Sequence, residues 1–288
     1  MEKKLTIGMA TYDDFDGVYF TIQALRMYHN LCNTQEVEYV IVDTNPSGAH
    51  GQACKKFIQE STQGLGQYIP KVDGQLSSFN KYEVVKYSKG KYVIIMDCHV
   101  FLESGSIDTL MKYYDENPDC KNLVQGPLLY DDLTNISTNF DDVFRDQMYG
   151  IWETKKEEYD KGEPFEIPMQ GMGFCSFERK NFPKISEHFR GFGAEEGYIS
   201  EKFRMNGGKN VCIPQLKWCH RFGRPNGVPF PLTLDDRVYN YFIGWLEMYR
   251  DANHPMVKRI YEHFKTQINE QTVQALLLEA MSKLNLRS

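Results

Sequence analysis

Short apolar runs alternate with segments of helical periodicity in the first half of the chain. Three nearly continuous apolar runs are predicted to be strands, at 5–10, 37–42 and 92–96. Four segments with apolar residues at helical spacing are predicted to be helices, at 17–30, 50–61, 77–90 and 106–117. Strands that are buried on both faces read as continuous apolar runs. The pattern therefore predicts an α/β fold with a mostly parallel sheet flanked by helices.

The second half has a mixed pattern. Four short apolar stretches are predicted to be strands, at 122–130, 173–178, 210–214 and 216–222. A helix is predicted at 193–208, with Gly207 and Gly208 at its end. Residues 141–158 are polar and aromatic, and we predict that they form a helix or a loop that contains one.

The C-terminal part has a helical pattern of its own. Gly and Pro are so frequent in 223–231 that this segment is predicted to be a loop. Thr233 and Asp236 have the spacing of a capping box, and helical periodicity continues from there to the end of the chain. We predict two units, a main domain at 1–231 and a C-terminal helical extension at 232–288.

Polar residues follow the three predicted strands of the first half. Thr11, Asp43 and Asp97 each come at the carboxyl end of a strand, where ligands bind in open α/β sheets. The Gly-rich dinucleotide fingerprint and the phosphate-binding Walker loop are both absent after the first strand. A divalent ion could hold a diphosphate in place of these phosphate-binding loops.

Asp97 and His99 are candidate metal ligands because alternate residues of a strand face the same side. A carboxylate and an imidazole suit manganese, iron or zinc better than calcium. On the residues alone, an Asp-x-His pair is at least as often a capped turn followed by a surface histidine. A histidine on a strand beside a tryptophan, such as His220 near Trp218, is more often a packed or surface residue than a ligand.

Composition narrows the class of protein only mildly. The 288 residues include 41% hydrophobic and 25% charged residues, which is typical of a globular protein with a core. A net charge of −6 disfavours a nucleic-acid-binding protein, although a local basic patch is compatible with it. Seven cysteines without CxxC pairs, no secretory signal and no apolar stretch of membrane-spanning length predict a cytoplasmic location.

Four stretches, read in order, carry a resemblance to a known family. They are EYVIVDTN, FNKYEVVKYSKGKYVIIMDCH, GMGFCSFERKNF and GAEEGYISEKFRMNGG. This order resembles the GT-A fold glycosyltransferases of family 2, in which a metal on an Asp-x-Asp motif holds a nucleotide-sugar diphosphate. The Asp-x-His form resembles that of polypeptide N-acetylgalactosaminyltransferases. The similarity covers about residues 4–225.

The resemblance implies a metal site and a donor site. Asp97, His99 and His220 match the metal ligands, and the implied ion is Mn²⁺ or Mg²⁺. Asp43 matches the aspartate that contacts uracil in a UDP-sugar. Lys81 stands where the family has an arginine, which keeps the charge but loses the planar fork.

Further expectations concern the nucleoside, the acceptor and the loop. Thr11 and Tyr12 are expected to hold the nucleoside. Glu195 and Glu196 match the acidic residues that contact the acceptor in this family. Acidic pairs at a helix start more often only interact favourably with the positive end of the helix dipole. Glu196 is the expected base if the enzyme inverts. Retaining Asp-x-His enzymes have asparagine there, and Glu195 matches their preceding glutamate. The loop 223–231 matches a segment that often closes over the donor.

The predicted function is metal-dependent transfer of a hexosyl or N-acetylhexosaminyl group from a nucleotide sugar to an acceptor hydroxyl. One alternative is a non-haem iron oxygenase using the same Asp/His/His set, although those enzymes have an all-β fold. A second is a non-catalytic relative that binds nucleotide sugars. A nucleotidyltransferase is disfavoured because MATYDDFDG is acidic instead of basic and Gly-rich. The acceptor, whether protein, glycan, lipid-linked sugar or modified DNA, stays open, and the C-terminal helices are a possible homo-oligomer interface.

Overall fold

A central sheet of eight strands is the scaffold of the computed structural model, which describes residues 3–71, 78–223, 227–228 and 230–286. The strands of the structure are β1 Leu5–Thr11, β2 Val37–Asp43, β3 Gly66–Pro70, β4 Tyr92–Met96, β5 Val100–Leu102, β6 Leu123–Gln125, β7 Leu128–Leu129, β8 Ile136–Ser137, β9 Asn139–Arg145, β10 Met148–Glu153, β11 Phe165–Glu166, β12 Phe174–Glu178, β13 Asn210–Cys212 and β14 Trp218–His220.

The helices cover both faces of this sheet. They are α1 Phe15–Tyr28, α2 Ala49–Ser61, α3 Val84–Tyr87, α4 Ser106–Glu116, α5 Lys156–Asp160, α6 Glu195–Met205, α7 Leu234–Tyr249, α8 Pro255–Phe264 and α9 Glu270–Lys283, with 3-10 turns at Asn30–Asn33, Ser78–Glu83 and Arg179–Asn181. The described helices include none with the length and apolar character that a membrane span requires.

The strand order of the central sheet is β11-β13-β6-β12-β4-β1-β2-β3. Strands β4, β1, β2 and β3 are parallel to one another, and β6 is parallel to β13. Strand β12 runs antiparallel between β4 and β6, and β11 runs antiparallel at the edge. The predicted α/β fold with a mostly parallel sheet flanked by helices is confirmed.

The central sheet has an apolar core on each face, and alternate residues of the inner strands point into one core or the other. Tyr39 and Ile41 of β2 pack with α1, α2 and α4 on one face, whereas Val40 and Val42 belong to the core on the other face. All residues of β2 and β4 are buried. Burial on both faces explains why these strands are continuous apolar runs without alternation.

The C-terminal helices α7, α8 and α9 complete the second of these cores. Their buried residues, such as Phe242 and Ile260, belong to the same apolar cluster as Val40 of the sheet. Two hydrogen bonds join α7 to the β9–β10 hairpin, from the Arg237 guanidinium to the Gln147 carbonyl at 3.0 Å and from the Tyr149 amide to the Tyr241 hydroxyl at 2.9 Å. The segment predicted as an extension therefore covers one face of the sheet and supports the hairpin.

Three sequence predictions differ from the structure in local detail. The predicted helix at 77–90 is a 3-10 turn followed by the single helical turn α3, because Phe79, Asn80, Lys81 and Tyr82 are consecutive and all buried. A regular amphipathic helix buries only one face, so four successive buried residues require another geometry.

The predicted strand at 122–130 is divided into β6 and β7 by Gly126 and Pro127. A Cβ at Gly126 would lie 1.6 Å from the Leu216 carbonyl oxygen, so the backbones approach closely at this point. Proline has no amide hydrogen for a strand ladder.

The edge strand β3 was not predicted, because its residues are half-buried and its run GQYIP is short and mixed.

The segment 141–158, predicted to contain a helix, instead forms most of the antiparallel hairpin β9–β10, followed by the short helix α5. Phe140 and Trp152 are paired across the two strands and pack edge to face, with ring centroids 4.4 Å apart. Cross-strand aromatic pairs stabilise antiparallel strands, and they override the polar character of this segment.

Candidate functional site

A cavity of about 490 Å³ lies at the carboxyl ends of β1 and β4, where α/β sheets bind ligands. Thr11 and Tyr12 line it from the end of β1, and Asp97 and His99 line it from the end of β4. Residues of the β9–β10 hairpin form the opposite wall. The predicted crevice is therefore a feature of the structure.

Asp97, His99 and His220 converge in this cavity. A second sheet of order β5-β14-β7-β8 brings His220 into place, because β14 pairs antiparallel with β5 and sets His220 opposite Val100. One ligand-type atom from each of the three side chains lies within 4.8 Å of the others. The Nε2 atom of His220 is 3.3 Å from Oδ2 of Asp97, and the two imidazole rings have centroids 4.7 Å apart.

The chemistry and spacing of these side chains fit a divalent cation. Ligand bonds from carboxylate oxygen and imidazole nitrogen to such ions are about 2.0–2.2 Å, so two ligands of one ion lie about 3 Å apart. The 3.3 Å separation between Asp97 and His220 is close to that value. The Nδ1 atom of His220 is buried and lacks a hydrogen-bond partner among the described residues, so its ring is not committed to a purely structural network.

Lys81 connects this cluster to the acidic residues. Its ammonium group donates to the Met172 carbonyl at 2.8 Å and lies 3.6 Å from carboxylate oxygens of both Asp97 and Glu195. Burial favours a lower pKa for Lys81, but the two carboxylates outweigh it and raise the pKa above the usual range. Burial likewise favours a higher pKa for Asp97, but Lys81 and the histidines hold it below its usual range. Both groups are therefore charged at neutral pH.

Glu195 and Glu196 begin α6 at the edge of the cavity. Three residues before them have left-handed backbone, Gly191, Gly193 and Ala194, and this turn directs the helix N-terminus toward the cavity. Glu195 is buried beside Lys81, whereas Glu196 is half-buried and lines the cavity. Burial, followed by the charge of Glu195, raises the pKa of Glu196 to about 8. A carboxyl group that titrates near neutral pH is suited to acid–base chemistry.

The raised pKa of Glu196 makes a prediction about stability. A glutamate whose pKa is raised by folding stabilises the protein below the unfolded pKa and loses that contribution as pH rises through the folded value. The affected window runs from about 4.5 to about 8. We expect Glu196→Gln to have the same Tm as wild type at pH 5 and a Tm a few degrees higher at pH 8.5. A change of 1 kcal/mol in unfolding free energy shifts Tm by about 2–4 °C in a chain of this size. If calorimetry gives the same Tm difference between variant and wild type at both pH values, the raised pKa of Glu196 is contradicted.

The structure does not bring every predicted donor residue to the cavity. Asp43 is fully buried outside it, and its carboxylate accepts hydrogen bonds from the Tyr68 hydroxyl at 2.6 Å and the Asn45 amide at 2.8 Å. Thr44, the next residue, lines the cavity instead. Tyr12 lies at the cavity beside Phe230, edge to face, with centroids 6.0 Å apart. Of the predicted loop at 223–231, residues 224–226 and 229 lie outside the described residues.

Asp14 and Phe140 are parts of the site that were not predicted from the sequence. Asp14 lies 3.0 Å from His99, and its only sequence signal is its place in the acidic run after β1. Phe140 completes an aromatic wall with Trp152 and Trp218, and this arrangement depends on the β9–β10 hairpin, whose strands were not predicted. The Trp152 and Trp218 rings meet edge to face with centroids 6.0 Å apart.

Gly171 sets the position of this wall. A Cβ at Gly171 would lie 2.1 Å from the Trp152 ring, so alanine would push the indole away. Small displacements of groups that position substrates can cost up to 10²-fold in rate. We expect Gly171→Ala to lower kcat/KM with the predicted substrates by up to about 10²-fold, because the indole would move from its position at the cavity. Steady-state kinetics measure this value, and an unchanged kcat/KM would contradict the expectation that the position of the Trp152 indole matters for the reaction.

Comparison with known proteins assigns the family. Residues 6–185, more than half of the chain, match the model for glycosyl transferase family 2. The chain belongs to this family. A relative, the minor teichoic acid biosynthesis protein GgaB of Bacillus subtilis (strain 168), is 20% identical over 113 residues, which are 39% of this chain and 12% of that protein. The chain thus matches only a small part of this much longer relative.

Solved structures of glycosyltransferases share the fold of this family 2 chain. GalNAc-T7, determined with UDP, GalNAc and Mn²⁺, superposes with a TM-score of 0.69 at 13% identity over 99% of this chain and 55% of its own. The mannosyltransferase PcManGT of Pyrobaculum calidifontis, with GDP-Man and Mn²⁺, gives 0.59 at 11% identity, covering 100% of this chain and 76% of its own. S. aureus TarS 1–349, with UDP-GlcNAc, gives 0.56 at 11% identity, covering 96% and 71%.

These comparisons confirm the GT-A fold and support glycosyl transfer from a nucleotide sugar as the activity class. They contradict the oxygenase alternative, because that class has an all-β fold and this chain has a mostly parallel α/β sheet. The non-catalytic alternative is left to experiment.

Proposed function

We propose that this family 2 protein is a metal-dependent enzyme that transfers a hexosyl or N-acetylhexosaminyl group from a UDP-sugar to an acceptor hydroxyl. The observation that carries the proposal is the convergence of Asp97, His99 and His220 in one cavity that Glu196 also lines. Two of the three structural neighbours named above contain UDP or a UDP-sugar, and two contain Mn²⁺. These neighbours support the choice of UDP and Mn²⁺, with Mg²⁺ as the alternative ion.

Asp97, His99 and His220 would hold the ion on one side of the cavity. When bound, it would neutralise the negative charge that develops on the leaving diphosphate. Thr11, Tyr12 and Thr44 lie where the nucleoside would bind, at the end of β1 and directly after β2. Asp43 has no direct role in this proposal, because its carboxylate is fully buried and hydrogen-bonded.

Lys81 lines the cavity, but its ammonium group is engaged by two carboxylates of the protein, so we assign it no direct contact with the donor. Its side chain is 8% exposed and lies between Asp97 and Glu195. An internal cation at this position favours the ionised form of Asp97 and holds both carboxylates in fixed positions. The contribution of Lys81 to donor binding is therefore indirect, through the geometry of Asp97.

Glu196 is the proposed base. It lines the same cavity as the proposed metal ligands, and only its ionised form can take a proton from the acceptor hydroxyl. A base on the opposite side of the sugar from the leaving group gives direct displacement, which inverts the anomeric centre. Glu195 positions Glu196 indirectly, because it is held by Lys81 and raises the pKa of its neighbour.

The wall of the cavity favours a saccharide acceptor, free or lipid-linked. Trp152 is half-buried and packs on the buried rings of Phe140 and Trp218, so its indole is the aromatic surface on which the apolar face of a sugar ring would pack. The name of the relative, which refers to teichoic acid biosynthesis, is in keeping with a glycan-type acceptor. The net charge of −6 disfavours modified DNA. A protein acceptor is the remaining alternative.

Location and assembly complete the proposal. All seven cysteines are free in the structure, and six of them are buried, which is in keeping with a reducing, cytoplasmic compartment. Assembly through the C-terminal helices is retained as a prediction that light scattering after size-exclusion chromatography tests directly. Leu278 of α9, which is 49% exposed, is the apolar side chain to change first in that test.

The first experiment identifies the donor by binding. We expect one UDP-sugar from a panel that includes GDP- and dTDP-sugars to raise Tm, and the increase to be larger with Mn²⁺ than with EDTA. The same donor should then be consumed when candidate acceptors are added. Binding without consumption across protein, glycan and lipid-linked acceptors would favour the non-catalytic alternative. A Tm that responds to none of the nucleotide sugars would overturn the proposed function.

A further inference from the structure

We propose that Asp14 is a positioning residue for the metal site, and that it holds both histidine ligands in place through one carboxylate. This inference rests on the metal site of the proposed function, but it concerns a residue outside the ligand set. Asp14 precedes α1 and its carboxylate is 13% exposed. It is therefore largely enclosed where the loop after β1 meets the ends of β4 and β14.

The first contact is with His99. Oδ2 of Asp14 lies 3.0 Å from Nδ1 of His99, whose side chain is 7% exposed. A carboxylate only accepts hydrogen bonds at neutral pH, so Nδ1 must carry the proton. The lone pair of the neutral ring is then on Nε2. Contacts of this kind select the tautomer of a ligating histidine and make it a better metal ligand.

The second contact reaches the segment that carries His220. Arg221, the next residue, places its guanidinium 3.2 and 3.3 Å from the two carboxylate oxygens of Asp14. Its backbone amide donates to the His99 carbonyl at 3.2 Å. The carboxylate of Asp14 thus joins the His99 segment to the His220 segment from one point.

The third contact anchors Asp14 itself. Oδ1 accepts a hydrogen bond from the Gly17 amide at 3.1 Å and caps the N-terminus of α1. A cap fixes the side chain relative to a rigid helix. Asp14 therefore transmits the position of α1 to the two histidines, which come from parts of the chain more than a hundred residues apart.

An alternative role for Asp14 is direct ligation. Asp14, Cys98 and His99 also form a group with metal-ligand spacing, because the Cys98 sulfur lies 3.6 Å from Asp14 and 3.7 Å from Nδ1 of His99. The guanidinium of Arg221 beside the same carboxylate opposes a second cation at this point. Positioning is therefore favoured over ligation.

The test measures Mn²⁺ binding to the full chain, without nucleotide, from the EPR signal of free Mn²⁺. Asp14→Ser keeps an N-cap of comparable strength but removes the contact to His99. We expect its Kd for Mn²⁺ to rise about 10- to 100-fold, the usual cost of losing such a contact to a ligand. Tm of the metal-free protein should stay close to wild type. Asp16→Ser, an exposed acid in the first turn of α1, is the matched control and should leave the Kd unchanged.

The outcomes separate this inference from the proposed function. A normal Kd in Asp14→Ser, together with lost binding in His220→Ala, would overturn the positioning role and leave the metal site intact. Weakened binding in Cys98→Ser with normal binding in His220→Ala would place the ion on Asp14, Cys98 and His99, and would overturn it as well. Wild type that binds no Mn²⁺ would overturn the metal site itself. If Asp14→Ser does not fold, Asp14→Gly, which N-cap positions also tolerate and which likewise removes the contact to His99, replaces it under the same criteria.

Discussion

Asp97→Asn is expected to lower kcat/KM for sugar transfer by about 10³-fold or more, because a ligand that neutralises a leaving diphosphate contributes several kcal/mol. Asparagine keeps the shape of the side chain but removes its negative charge. The loss then reports the charge that Asp97 offers to the ion and to Lys81, 3.6 Å away. Initial rates over a range of donor and Mn²⁺ concentrations measure the effect, and excess Mn²⁺ should not restore the rate.

The matched control is Asp119→Asn, which removes the same charge from an exposed carboxylate outside the cavity. It should retain wild-type kinetics. Because Asp97 also pairs with the buried Lys81, Tm of both variants is measured alongside the rates. A folded Asp97→Asn variant that keeps more than about a tenth of the wild-type rate would contradict the assignment of Asp97 as a ligand.

Glu196→Gln is expected to lower kcat by about 10²- to 10⁴-fold, the usual contribution of a general base. Glutamine has nearly the same shape but cannot take a proton from the acceptor. The Kd of the UDP-sugar should change little if Glu196 contacts the acceptor, as proposed. In wild type, kcat/KM should rise with pH up to about 8 and then level off, since the base must be ionised and its pKa is about 8.

A second measurement, on wild type and Glu196→Gln, tests whether the reaction inverts or retains the anomeric configuration of the sugar. If Glu196 is the base, the anomeric configuration of the product, read from proton NMR, is inverted relative to the donor. Glu187→Gln, at an exposed position outside the cavity, serves as the control and should keep wild-type rates. A retained configuration, or a normal rate in Glu196→Gln, would remove Glu196 from the mechanism. Glu195 would then be the acidic residue to examine.

The parts of the fold that the sequence predicts are those in which local pattern and burial agree. Strands β1, β2 and β4 are buried on both faces, so continuous apolar runs identify them directly. The β9–β10 hairpin was missed because its aromatic residues are stabilised by partners far away in sequence, such as Tyr241 of α7. The 78–87 segment was misjudged for the same reason, since its burial is set by the sheet and by α6.

The site residues likewise divide into those that local sequence pattern predicts and those that depend on contacts distant in sequence. Asp97 and His99 could be proposed because they directly follow an apolar strand. The structure places them in the turn between β4 and β5 and not in the strand, so the alternation that was assumed does not orient them. His220 could be proposed only through the family resemblance, since its place depends on the pairing of β14 with β5. The position of Asp43 was beyond reach because the Tyr68 hydroxyl that binds it comes from β3, which was not predicted. Asp14 depends on a contact over 85 residues of sequence, which no local pattern encodes.

The central claim is that this family 2 protein uses a metal on Asp97, His99 and His220 to transfer sugar from a nucleotide sugar. The most direct test is release of nucleoside diphosphate from a panel of nucleotide sugars, with Mn²⁺ and with EDTA. Wild type is compared with His220→Ala and with Cys219→Ser, whose side chain is adjacent in sequence but outside the cavity. We predict release from one UDP-sugar that requires Mn²⁺, is lost in His220→Ala and persists in Cys219→Ser. Release that continues in EDTA, or that His220→Ala retains, would contradict the account.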